Sequence, residues 1–158
     1  GILTSDEPPA MTYVGLVESR SAIRISVGIG DRSPLYCTAG GRVLLADMRD
    51  EDIRRYLANA PLHQVNPQTR TRPEALLELV QKAREDDFST VVDEMIQGIT
   101  GMAAPIRDSS ASVIGALIVA GPTSRMLEDE PLLRSMVRDS ARHISRSLGF
   151  DGKTEQHG

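Results

Sequence analysis

The order of patterns along the chain predicts an α+β fold, an antiparallel sheet with helices packed on it. Strand-like segments come first, helical signals fill the middle, and a second strand run is followed by one closing helix. Two apolar runs, residues 102–107 and 113–120, flank Asp108-Ser109-Ser110-Ala111-Ser112. Short polar side chains of that kind favour turns, so the two runs read as an antiparallel hairpin.

The first strand is expected over residues 11–17, after a turn at residues 5–10. Residues 23–27 alternate apolar with polar at period two, as a half-buried strand does. A short helix is expected over residues 42–48, with Thr38-Ala39-Gly40-Gly41 leading into it. Asp50-Glu51-Asp52 places negative charge where it complements the dipole of a second helix, which Pro61 follows. Thr71-Arg72-Pro73-Glu74 fits a capping box for a third helix that turns Leu76, Leu77, Val80 and Ala83 inward. A strand should return over residues 88–93. The last helix is expected from near Pro131 to Gly149, with Leu132, Leu133, Met136, Val137, Ile144 and Leu148 inward. Residues 151–158 are expected to form a disordered tail.

A chain of 158 residues fits one domain and can bury a real core. Its net charge of −4 argues against a duplex-binding surface spread over the whole domain, because nonspecific affinity comes from neutralised phosphates. The single cysteine, Cys37, excludes an intramolecular disulfide and makes a reducing cytoplasm the default. No apolar run approaches the roughly 20 residues that span a bilayer. No membrane partner is expected.

Three segments carry a family resemblance. Pro34 to Ala46 holds the Thr-Ala-Gly-Gly approach to a helix. Asp93 to Asp108 joins an acidic doublet to a glycine turn and the Ala103-Ala104-Pro105-Ile106-Arg107-Asp108 run. Gly121-Pro122-Thr123-Ser124-Arg125 ends the second hairpin strand. In this order and spacing the chain resembles the effector-binding domain of IclR-family bacterial transcription regulators, over most of its length. The resemblance implies a GAF/PAS-like fold with a ligand pocket on one side of the sheet. It also implies an effector-binding domain over residues 1–150, cut inside its first strand, with a winged helix-turn-helix DNA-binding domain before it. Operator DNA would be bound only through that missing part, and homodimers or homotetramers are expected.

Residues read one by one give the following sites. A helix start at Ala39, Gly40 and Gly41 offers free N–H groups and the positive dipole end to an anion, each charged hydrogen bond contributing about 1.5–3 kcal/mol. The alternative is a plain tight turn that uses glycine for its conformational freedom. The family's remaining pocket positions fall on Val91, Ile99, Gly101, Ile118 and Ala120. Members that bind small carboxylic acids often carry an acidic residue at the first, a cysteine or polar group at the third and serines at the last two. This chain has apolar or absent side chains there. A small organic effector of larger, apolar or aromatic carboxylic-acid type follows as the expectation.

Chemistry is expected elsewhere to be structural. Asp93 and Glu94 should point to opposite faces and order the following loop rather than share a substrate. His63, His143, His157 and Cys37 lack close metal-ligand spacing, and no cofactor is expected. Cys37 is expected to pack or line the pocket, no Gly-x-Ser-x-Gly elbow is present, and the chain is not read as an enzyme. Arg134, Arg138, Arg142 and Arg146 draw a basic stripe, read as a solvated helix face that could alternatively meet an acidic surface. Arg125 is expected to bond a carbonyl or carboxylate. The competing functional reading is a GAF/PAS-like protein-interaction module without a small ligand.

Overall fold

The computed structural model describes residues 9–17 and 27–152. The expected turn at residues 5–10 lies largely outside them, as do most of the strand at residues 23–27 and the C-terminal tail. Ten elements follow one another among the described residues. They are β1 (Ala10–Thr12), β2 (Arg32–Pro34), α1 (Ala39–Ala46), α2 (Asp50–Asn59), α3 (Pro73–Asp86), β3 (Ser89–Val92), β4 (Ile99–Arg107), β5 (Val113–Pro122), α4 (Thr123–Glu128) and α5 (Glu130–Ser147). Strands β3, β4 and β5 form an antiparallel sheet in that order, and β1 pairs with β2.

Alternation along the three strands decides the layering. Val91, Ala103, Ala116 and Ile118 share one face and pack with Ala39 and Val43 of α1. Phe88, Met102, Ala104, Leu117 and Val119 lie on the other, against Val137 and Ala141 of α5. Helix α1 is therefore apolar nearly all round, since α3 covers its far side. A larger core of Leu35, Leu45, Ile53, Tyr56, Leu76 and Val80 joins α1, α2 and α3.

The hairpin matches its expectation. Asp108 accepts from the Ser110 amide at 2.9 Å and the Ser110 hydroxyl at 2.6 Å, and Ala111 takes a left-handed φ of 63°. Helix α2 begins at Asp50 with all three acidic residues in its first turn. Leu76, Val80 and Ala83 of α3 are buried.

Several boundaries differ. Of the first expected strand only Met11 and Thr12 fall within β1, which takes in Ala10 from the expected turn, and Val14 and Val17 are exposed. Strand β2 escaped the sequence reading because three residues bearing a charge and a proline carry no period. Helix α1 starts three residues early, because Thr38 caps it and takes the Gly41 amide at 3.2 Å. The glycines lie inside the first turn, not before it. The expected capping box at Thr71 does not form: Arg72 is the N-cap, and Pro73, with its φ preset, takes the first helical position. On α5 the inward stripe is Leu133, Val137, Ala141 and Ser145 at spacing four. Leu132, Met136 and Leu148, expected inside, are 62%, 55% and 44% exposed, since Leu132 and Met136 sit one residue, about 100° of turn, away from that stripe.

Candidate functional site

The start of α1 lies on the sheet face that carries Val91, Gly101 and Ile118. Register puts Val91, Gly101 and Ala120 in one row across β3, β4 and β5, with Ala103 opposite Ile118 and Ile99 opposite Pro122. All of these except Pro122 belong to the expected lining or to the α1 contact. A Cβ added to Gly101 would lie 3.5 Å from the Ala39 Cβ, so the missing side chain lets the helix start settle on the strand. Gly40 touches Ile118: a Cβ there would stand 2.5 Å from Ile118 Cδ1 and 3.0 Å from Met11 Sδ. Gly41 turns the other way, toward the backbone of Leu35, and does not join this face.

Seven of the eight expected residues are thus gathered on one side of the sheet. The inner part of the space is filled by contact, Ala39 on Gly101 and Ile118 on Gly40. Ile99, Gly101 and Ala120 remain partly or fully exposed beyond the helix start. Neither the cleft beside Arg138 and Arg142 nor the one at the outer edge of β3 is lined by any of the eight residues. The Gly41 amide is taken by Thr38 Oγ1 and the Arg42 amide by the Thr38 carbonyl. The Ala39 and Gly40 amides carry no such bond among the described residues.

A buried ion pair fixes the other end of this helix turn. Arg42 is 2% exposed, and its Nη2 donates to Glu94 Oε2 at 2.7 Å while its Nε donates to the Tyr36 carbonyl at 3.0 Å. Glu94 Oε2 also accepts from the Arg70 amide, and the Glu94 carbonyl accepts from Thr69 and Asn66. The carboxylate therefore pins the connection between α2 and α3 to the loop after β3. Sequence reasoning placed Glu94 in a loop-ordering role and missed its partner. An arginine inside a helix between apolar residues was the available signal.

Asp93 diverges from Glu94. It takes a φ of 57°, accepts from the Gly98 amide at 3.1 Å and from the Thr123 hydroxyl at 2.5 Å, and so ties the loop to the start of α4. The doublet shares no substrate position. Cys37 is fully buried beside Met95, with 3.5 Å between the sulfurs. Burial, then the Glu94 charge, pushes its thiol up to about 11, which keeps it protonated and a poor nucleophile near neutrality. Tyr36, whose hydroxyl donates to the His63 carbonyl at 2.7 Å, is pushed up to about 12 by burial.

Among the described residues no three His, Cys, Asp or Glu side chains gather as a metal site, and His157 lies outside them. No described helix is long and apolar enough to cross a membrane. The guanidinium expected at Arg125 to bond a carbonyl or carboxylate makes no such bond among the described residues; the turn runs directly into α4 and leaves this residue exposed. Of the basic stripe, Arg134 folds over the Phe88 ring at 4.5 Å and pairs with Glu130, and Arg142 approaches Asp139. A small cleft of about 20 Å³ lies beside Arg138 and Arg142, next to Pro105.

Residues 2–146 match the family model for the C-terminal domain of the bacterial transcriptional regulator IclR. The HTH-type transcriptional repressor AllR of Escherichia coli K12 is 32% identical over 138 residues, which is 87% of this chain and 51% of the repressor. The chain thus spans about half the length of the curated relatives it matches. The crystal structure of a proposed transcriptional regulator from Rhodococcus sp. RHA1 superposes with a TM-score of 0.86 at 30% identity, covering 90% of this chain and 59% of that one. An IclR homologue from Microbacterium hydrocarbonoxydans, complexed with 4-hydroxybenzoate, gives 0.75 at 28% identity over 84% of this chain and 53% of its own. These relatives are regulators and not enzymes. With this sequence, this α+β sheet and this helix start on its face, the chain belongs to the IclR family of bacterial transcriptional regulators, as the C-terminal domain.

Proposed function

We propose that the domain senses a small organic acid with an aromatic or apolar body, bound where α1 meets the sheet. The observation that carries the reading is the start of α1 resting on this sheet face, its Ala39 and Gly40 amides without a hydrogen bond among the described residues and apolar residues around them. Two such amides at the positive end of a helix suit one carboxylate. Val91, Ile99, Ile118 and Ala120 supply no side-chain donor, which disfavours a small, highly polar acid. The 4-hydroxybenzoate complex of the Microbacterium relative supports an acid of this class.

In the full regulator the effector acts by linkage: it alters operator affinity only as far as it binds two arrangements of subunits unequally, typically by about 1–3 kcal/mol. DNA contact belongs to an N-terminal helix-turn-helix domain, as the greater length of the relatives suggests, and the subunits associate as dimers or tetramers in the cytoplasm. The isolated domain then binds acid without binding operator.

A thermal-shift screen of benzoates against glyoxylate-sized acids tests this. Preferential stabilisation by the benzoates is expected, and preference for the small acids contradicts it. The contact of Ile118 with Gly40 favours a second reading, a protein-association module whose wall is packed shut. That reading expects no acid to raise the melting temperature.

A further inference from the structure

The outer edge of β3 carries a cleft of about 140 Å³, walled by α3 on one side and by Arg134 of α5 on the other. We propose that this cleft is a second ligand site, for a small organic monoanion with an apolar body and one carboxylate. It lies apart from the residues of the effector reading and does not depend on that reading.

Size sets the first limit. Cavities of roughly 150 Å³ accept a benzene-sized guest, so a single ring fits and a dinucleotide does not. The apolar lining comes from Leu79 and Ala83 of α3 and from Phe88, whose ring is covered by the Arg134 guanidinium at 4.5 Å. A guest ring would rest against the α3 side.

The polar walls set the charge. Thr90 Oγ1 is buried and has no hydrogen-bond partner, the one such side-chain atom among the described residues. A hydroxyl left in that state costs about 1–3 kcal/mol unless something meets it. The Asp93 amide donates to the Ile99 carbonyl, which marks that opposed pair as hydrogen-bonded. Alternation then turns the Thr90 amide and carbonyl away from β4, to the outer edge where the cleft lies.

Donors outnumber acceptors around it. Arg42 uses Nε and Nη2 on Tyr36 and Glu94, and its Nη1 has no bond among the described residues. Arg134 uses Nε on Glu130, and its two Nη groups are uncommitted. Lys82 pairs with Asp86 at 3.2 Å at the exposed rim. The carboxylates that balance these cations are already spent on them, whereas the spare N–H groups and the Thr90 hydroxyl belong to residues that line the same cleft. A carboxylate supplies acceptors for a planar guanidinium and a hydroxyl together.

Titration of the protein with sodium benzoate, followed by amide NMR, tests the site. The amides of Ser89, Thr90 and Lys82 should shift along one saturable curve. Thr90→Val should weaken that binding about tenfold, the loss of one charge-assisted hydrogen bond, and Arg134→Gln by a similar factor. Thr90→Val should also hold or raise the melting temperature of the free protein, because it removes the unmet hydroxyl. Benzoate shifts confined to Ala39, Gly40 and Gly101 would overturn this site while leaving the effector reading intact. Equal shifts of the Thr90 amide by inorganic phosphate, or an unchanged benzoate affinity in both variants, would overturn it too.

Discussion

Arg42 is the residue whose environment most constrains the domain, because its charge is enclosed and met by Glu94 at 2.7 Å. Removing one partner strands the other charge inside. Arg42→Met should therefore cost about 3–5 kcal/mol in urea unfolding, and pairing it with Glu94→Leu should return much of that loss. A cost under about 1 kcal/mol would show that the pair is not desolvated. Cys37 and Tyr36 give a second test. Both acids are raised in the fold, to about 11 and about 12, so the fold prefers their neutral forms. Their contribution is complete below the ordinary values near pH 9–10 and is lost as pH climbs through the raised ones. Urea midpoints should stay level up to about pH 9 and then fall, and iodoacetamide should label native Cys37 far more slowly than the unfolded chain.

The first turn of α1 shows how an element is specified by what it lacks. Gly40 and Gly41 look alike in sequence, yet they meet different neighbours. A methyl at Gly40 runs into the far end of Ile118, which can rotate, and Gly→Ala inside a helix gains up to about 1 kcal/mol of propensity. A methyl at Gly41 meets the Leu35 backbone, which cannot move aside. Gly41→Ala should thus destabilise by about 3 kcal/mol and Gly40→Ala by about 1 kcal/mol or less, measured by denaturant unfolding. Equal costs would mean that the two glycines do not face opposite ways. The same comparison explains what sequence could convey. Long periodic segments such as α3, and the hairpin with its Asp-Ser turn, were legible because pattern and turn chemistry agree. The start of α1 was misplaced since a Thr cap and two glycines read equally well as a loop. On α5, Leu132 and Met136 mimic a core stripe, and only the docking of the small Ala141 and Ser145 against β4 selects the neighbouring one.

At the scale of the whole molecule the family membership was readable from three segments in register, because each marks a backbone feature that the fold needs. The five strand positions to which the resemblance points, Val91, Ile99, Gly101, Ile118 and Ala120, share one sheet face, and Ala39 and Gly40 of α1 rest over it. What a sequence cannot convey is how far Ile118 and Ala39 close that face, since this depends on side-chain rotamers and on α1 settling against Gly101. Gly101→Ser should be tolerated, its Cβ having ordinary contact at 3.5 Å, and should move preference toward smaller, more polar acids in the thermal-shift screen. The central claim is most directly tested by a crystal structure of the domain grown with an aromatic acid. The account predicts a carboxylate within hydrogen-bond distance of the Ala39 and Gly40 amides, and Ile118 turned away from Gly40 with the ring in the space it leaves. Ile118 still resting on Gly40, with no acid at the helix start, would contradict it.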